Sequence, residues 1–276
     1  MGQFDGRAVI VTGSSNGIGR ATAVKFAREG AMVTLCGRDE KTLNETMSMV
    51  LAVNGGVEKK VFIARGDICK EEVMKEIVRG TVEAFGRLDV LVNNAGGGST
   101  NPDLENSELE GNMSNFEYTI NINAKSVLRL CQMAFQHLVE KKGEIVNVSS
   151  ICGQPNGAVN DVIASLPYFD PVIRAAFFSP GMISTNIIQS QGIPDEAVKK
   201  LESEVASLHA RVPCGRVGTP DEVADAILFL ADRQRSSYIV GHLLVIDGGS
   251  SLQMPMIADF LNIFADKLGN LEPSKD

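Results

Sequence analysis

No block of basic residues occurs in this sequence, whose formal net charge is −8 at pH 7. A phosphate backbone or an anionic bilayer surface would find no matching footprint, so neither nucleic acid nor membrane is expected as a partner. No apolar run approaches the ~20 residues that span a bilayer, and no secretory h-region opens the chain. The five cysteines, Cys36, Cys69, Cys131, Cys152 and Cys214, are odd in number and include no C-x-x-C pair. Scattered through apolar stretches, they read as core thiols of a reducing compartment, and the expected location is cytoplasmic. His137, His209 and His242 stand without metal-ligand spacing, so no metal site is expected. The G-x-S-x-G elbow of serine hydrolases is also missing, as are internal repeats and low-complexity segments.

What the chain does have begins at residues 8–19, Ala-Val-Ile-Val-Thr-Gly-Ser-Ser-Asn-Gly-Ile-Gly, an apolar run that ends in a glycine-spaced loop. Residues 8–11 are too few for a helix and rich in β-branched side chains, the pattern of a strand buried on both faces. Gly13, Gly17 and Gly19 follow at G-x3-G-x-G spacing, and from Ile18 the apolar residues recur with helical period. A helix therefore starts inside the loop, where its unpaired N–H groups and partial positive charge can hold a pyrophosphate that glycines leave room for. A tight strand-to-helix turn without a ligand would use similar residues.

Further strand patterns lie at 32–36, 60–64, 88–92, 144–148, 172–178 and 243–246, alternating with helical patterns at 20–29, 39–53, 70–85, 116–139 and 220–231. Thr219 before Pro220, with Glu222 at the third helical position, predicts a capped helix start. Alternation of this kind implies an α/β fold, a doubly wound, Rossmann-like parallel sheet with ligands at the carboxyl ends of its strands. At 276 residues and 44% hydrophobic content, one full core is expected, hence a single domain.

Polar residues gather at those strand ends. After the second strand comes Gly37-Arg38-Asp39. Gly37 cannot grip ribose hydroxyls as an acidic residue would, whereas the Arg38 guanidinium can pair with a 2′-phosphate, which favours NADP(H) over NAD(H). Asp67, after the third strand, either accepts from the adenine amino group or caps the next helix. Asn93-Asn94-Ala95-Gly96 closes the fourth strand.

With these motifs in order, the chain resembles the short-chain dehydrogenase/reductase family, and with Gly-Arg after the second strand it is most similar to its tropinone-reductase-like members. The resemblance rests on residues 12–19, Asp67, residues 93–96, Asn123 within Asn-Ala-Lys-Ser-Val, residues 145–150, Ser179-Pro180-Gly181 and residues 241–249. It implies an NADP(H)-binding unit over 1–250, with Gly13, Ser15, Asn16, Gly17, Ile18, Gly19, Arg38, Asp67, Asn93, Ala95 and Gly96 at the cofactor. Ile183 and Thr185, after Pro-Gly, are implied against the carboxamide. Family members move a hydride between nicotinamide and a carbinol or carbonyl carbon while a Tyr phenol carries the proton. A free phenol has a pKa near ~10, and in the family a Lys four residues on helps it to ionise. Ser150 matches the Ser that holds the substrate oxygen, and Asn123 the Asn that keeps a relay water.

The Tyr-x-x-x-Lys pair is not matched. Four residues after Tyr168 stands Val172, and in the alternative alignment Phe169 and Ile173 take the two places. Residues from Arg174 to Gly181 fit the family's sixth strand, so the crossover before it is shortened. Pro155, Gly157, Pro167 and Pro171 interrupt that crossover, leaving only 160–166 able to form a short helix. The long helix that normally carries Tyr and Lys, and that packs against a neighbouring subunit, is therefore not expected. The homo-oligomer usual for the family is in doubt with it, and the apolar face holding Val127, Leu128, Leu130 and Met133 is expected to be uncovered. Two readings stay open: an NADP(H)-dependent oxidoreductase acting on a small-molecule alcohol or carbonyl substrate with Tyr168 recruited, or a cofactor-binding relative without chemistry.

Residues 97–111 read as a loop at the mouth of the site, and 182–211 as a lid over substrate. The tail, 251–276, carries Ile257, Phe260, Leu261, Phe264 and Leu268 at helical spacing, an amphipathic helix that docks on its own domain or on a partner.

Overall fold

The computed structural model describes residues 2–97, 113–151, 174–187, 189, 194–207 and 212–252. Seven strands form one sheet: β1 (Ala8–Val11), β2 (Met32–Gly37), β3 (Val61–Arg65), β4 (Val90–Asn93), β5 (Glu144–Val148), β6 (Arg174–Pro180) and β7 (Leu243–Ile246). Their order is β3-β2-β1-β4-β5-β6-β7 and every pairing is parallel. The helices are α1 (Gly17–Arg28), α2 (Glu40–Val53), α3 (Glu71–Phe85), α4 (Met113–Ile120), α5 (Ser126–Lys141), α6 (Asp195–Ser207), α7 (Pro220–Ala231) and the short α8 (Arg233–Ser236). The doubly wound architecture expected from the strand-helix alternation is therefore present.

Strand side chains alternate between two apolar layers. Val9, Val11, Val33, Leu35, Val90 and Val92 pack with Ala23 and Phe26 of α1, Leu43 and Val50 of α2, and Val223 and Ile227 of α7. Ile10, Leu91, Ile145 and Ala175 face the other way, toward Ile77 of α3 and Leu130, Ala134 and Leu138 of α5. Both faces are covered, so the strands read as continuous apolar runs rather than as half-polar ones.

Several expected boundaries shift for local reasons. β3 starts one residue late because Glu58–Lys60 form a 3-10 turn. β4 starts at Val90 because Asp89 is drawn off: its Oδ2 accepts the Ala8 N–H at 2.8 Å and the Arg87 Nε–H at 2.7 Å. The single helix expected over 116–139 is two helices joined by a π-turn, Asn121–Lys125. Of the apolar face expected to be uncovered, Val127 and Leu130 are buried against α3 and the sheet and Met133 packs on the same cluster, while Leu128 is half-buried. β6 is described from Arg174, and positions 172 and 173 of the expected strand lie outside the described residues. So do Tyr168, Phe169, the shortened crossover from 152, residues 98–111 of the loop expected at 97–111, residues 188, 190–193 and 208–211 of the lid, and the tail from 253. Among the described residues no helix is long and apolar enough to cross a membrane.

Candidate active site

The sheet order reverses direction between β1 and β4, and at such a point the two crossovers part and leave a crevice at the carboxyl ends. The glycine turn stands there. Gly13 has φ +66° and Gly17 φ +52°, conformations that L side chains rarely adopt. A Cβ on Gly13 would lie 2.9 Å from Ala95 Cα, and one on Gly19 only 2.3 Å from the Gly13 carbonyl oxygen. Close backbone approach, and not turn geometry alone, requires glycine here.

Thr12 locks the turn to the end of β4. Its buried Oγ1 accepts the N–H groups of both Asn94 and Ala95 at 2.9 Å and donates to the Val92 carbonyl at 3.3 Å. Asn94 Nδ2 returns a bond to the Thr12 carbonyl at 2.9 Å. Residues 94–96 thereby form one wall of the crevice and the glycine turn the other.

The N-terminus of α1 differs from those of α2 and α7. Asp39 Oδ1 accepts the Thr42 N–H at 2.8 Å at the start of α2, and α7 opens on a full capping box between Thr219 and Glu222, as the sequence led one to expect. At α1, Asn16 is extended, makes no side-chain cap bond, and no acidic residue occupies the first turn. The leading N–H groups of α1 are thus left without a capping side chain, in the geometry that receives an anion. Thr185 reaches over the same turn, with its methyl 3.1 Å from where a Gly17 Cβ would be. It is held there by the preceding residues, for Ile183 bridges to Gly218, the Ser184 N–H donates to the Gly218 carbonyl at 2.9 Å, and the Gly218 N–H donates to the Met182 carbonyl at 3.0 Å.

Toward β2 and β3, Ser15 stands against Gly37: a Cβ on that glycine would be 3.1 Å from Ser15 Oγ. Arg38 is exposed, and its Nη1 points to the Tyr118 phenolic oxygen at 3.4 Å. Asp67 Oδ1 accepts the Cys69 N–H at 3.0 Å, a turn bond ahead of α3, whose N-cap Lys70 receives no side-chain cap. Burial together with Asp67 pushes the Cys69 thiol up to about 11, and burial pushes Cys131 up to about 12, so neither is poised as a nucleophile.

At the far end, Ser150 is half-buried just beyond β5. Asn123 lies in the π-turn, where its Oδ1 accepts the Gly97 N–H at 2.9 Å while Nδ2 donates to the carbonyls of Gly97 at 2.8 Å and Thr119 at 3.0 Å. The Asn123 side chain therefore staples the segment after β4 to the α4–α5 junction. Asn93 is buried and points into the sheet, its Nδ2 donating to Asn147 Oδ1 at 2.8 Å, so it ties β4 to β5 instead of facing the crevice. Tyr168 lies outside the described residues. Sequence reasoning missed Tyr118 and Thr12. Thr12 was part of the turn motif, but its bonds to residues more than 80 positions away leave no local signal. Among the described residues, no group of three or more His, Cys, Asp or Glu could hold a metal ion.

Residues 13–251 match the family model described as Enoyl-(Acyl carrier protein) reductase. The chain is 37% identical over 265 residues to glucose 1-dehydrogenase of Gluconobacter oxydans (strain 621H), covering 91% of this chain and 94% of that one. Against 7alpha-hydroxysteroid dehydrogenase of Paraclostridium sordellii the identity is 30% over 275 residues, covering 95% and 98%. Among solved structures, a short-chain dehydrogenase/reductase of Caenorhabditis elegans crystallised with cofactor superposes with TM-score 0.86 at 39% identity, covering 93% of this chain and 99% of that chain. Glucose dehydrogenase of the same organism, in its apo form, gives TM-score 0.71 at 38% identity, covering 90% and 99%.

Proposed function

The chain belongs to the short-chain dehydrogenase/reductase family, and from that membership we propose that it binds NADP(H) in preference to NAD(H) and transfers a hydride between the nicotinamide and a secondary alcohol or ketone. The observation that carries this reading is the uncapped N-terminus of α1, walled by glycines that no side chain could replace. A diphosphate fits that cradle by charge and by clearance. The dinucleotide, when bound, supplies or accepts the hydride.

The roles of the chain's own residues follow. Gly13, Ser15, Asn16, Gly17, Ile18 and Gly19 offer main-chain amides and space to the diphosphate, with Ala95 and Gly96 opposite. Arg38 takes the 2′-phosphate, Asp67 stands at the adenine end, and Ile183 and Thr185 border the nicotinamide end. Ser150 holds the substrate oxygen with its hydroxyl, Asn123 keeps the neighbouring backbone fixed, and the Tyr168 phenol exchanges the proton. The same reading takes residues 1–250 as one nucleotide-binding unit with residues 182–211 as lid, and places the protein in the cytoplasm.

A second reading, nucleotide binding without turnover, is favoured by one sequence fact: Val172 stands where a lysine would lower the phenol's pKa. Titration with NADPH, followed by its fluorescence, and then a panel of sugars, hydroxysteroids and their ketones, separates the two. Saturable binding with substrate-dependent oxidation is expected. Binding without any oxidation selects the second reading, and no saturable signal from folded protein sinks both.

A further inference from the structure

The carboxyl ends of β2 and β3 carry two arginines that the fold treats differently. Arg65 is spent: its guanidinium pairs with Glu40 and its Nε donates to the Arg38 carbonyl at 3.3 Å. Arg38 has no carboxylate within ion-pairing distance among the described residues, and its Nη1 lies 3.4 Å from the Tyr118 oxygen. A guanidinium has donors only, so in this contact the phenol oxygen accepts and its own O–H stays available as a donor. Half-buried on α4, that O–H stands beside the exposed cation, and Ser15 brings a second hydroxyl against Gly37 nearby. We propose that Tyr118 is a specificity residue for the nucleotide, its phenol donating to the 2′-phosphate that Arg38 pairs with and holding that guanidinium in place. This rests on the NADP(H) reading given above.

The placement of Tyr118 has a structural cause. α4 runs directly into the π-turn, whose Asn123 makes two hydrogen bonds to Gly97 and one back to the Thr119 carbonyl of α4. The helix carrying the phenol is thereby anchored beside the crevice, although 80 residues separate Tyr118 from Arg38.

Calorimetric titration of the full chain with 2′,5′-ADP and with 5′-AMP tests the assignment, because the two probes differ only in the 2′-phosphate. The unaltered protein is expected to bind 2′,5′-ADP more tightly. Tyr118→Phe, which removes only the hydroxyl, is expected to lower that preference about tenfold while leaving 5′-AMP affinity unchanged. Arg38→Ala is expected to lower it further. An unchanged preference in Tyr118→Phe, or an equal loss for both probes, overturns the role of Tyr118 and leaves the NADP(H) reading standing. No preference in the unaltered protein overturns both.

Discussion

Glu144 and Arg174 face each other at the first paired position of β5 and β6, and their side chains meet at 2.7 Å with only 3% and 4% of each exposed. Arg174 also donates from Nη1 to the carbonyls of Ser236 and Ile239, both at 3.2 Å, and from Nη2 to that of Leu230. Glu144 is shared with Arg233, whose Nε lies 2.6 Å from Oε1. This buried group sits at the amino ends of the strands, opposite the crevice, and ties the register of β6 to the end of α7.

Burial pushes the Glu144 carboxyl up and the Arg174 guanidinium down, so desolvation outweighs pairing for each ion. Removing Arg174 leaves the buried Glu144 with Arg233 alone and takes the guanidinium donors from the carbonyls of Leu230, Ser236 and Ile239. Arg174→Leu is expected to lower the unfolding free energy by about 3–5 kcal/mol. Glu144→Leu with Arg174→Leu together should lose less than the single change, because the half-exposed Arg233 can turn to water. Urea denaturation of the three proteins checks this, and a double variant weaker than Arg174→Leu would refute it.

The capping box of α7 is expected to give an acid-limb dependence. The Arg216 hydrogen bond, helped by the Thr219 N–H, holds the Glu222 carboxyl down to about 2. Its folded value lies below its unfolded one, so its contribution is present above the ordinary carboxylate range and fades as pH falls toward the folded value. Thermal midpoints followed from about pH 6 to about pH 3 should drop less steeply in Glu222→Gln than in the unaltered protein. Equal slopes would remove Glu222 from the acid response.

Gly19→Ala aims a Cβ at the Gly13 carbonyl oxygen, 2.3 Å away, and backbone cannot swing aside as a side-chain end can. The turn must open, so NADPH affinity is expected to fall at least about tenfold, equivalent to ~1.4 kcal/mol. Gly86→Ala, at a positive-φ helix end with nothing within 4 Å, should cost stability without changing that affinity. Equal Kd values for NADPH in the Gly19 variant and the unaltered protein would mean that the cradle is elsewhere.

Tyr168→Phe examines the proton-transfer role directly. If the phenol carries the proton, kcat is expected to fall by about 10²-fold or more while NADPH binding persists. Unchanged turnover would take Tyr168 out of the mechanism.

Much of this architecture was readable because it is local or periodic. Residues 8–11 and the glycines after them, the Thr219–Glu222 cap and the two-faced apolar strands each announce themselves within a few positions. The π-turn escaped notice because widening one turn at Asn123 barely disturbs the apolar spacing of residues 116–139. Asn93 looked like a crevice residue from its motif, yet it turns inward to Asn147, a partner set by strand pairing. The Arg38–Tyr118 contact and the burial of Leu130 likewise depend on how distant segments meet, which no periodicity encodes.

The Thr12 hydroxyl has a consequence for the order of events in synthesis. Its two amide partners, Asn94 and Ala95, emerge from the ribosome 82 and 83 positions after it. Until that stretch docks, the opening loop is a chain segment without its opposite bank. The glycine turn therefore gains its facing wall only through long-range assembly, and an amino-terminal fragment ending before β4 would carry the whole glycine signature without the wall that residues 94–96 supply.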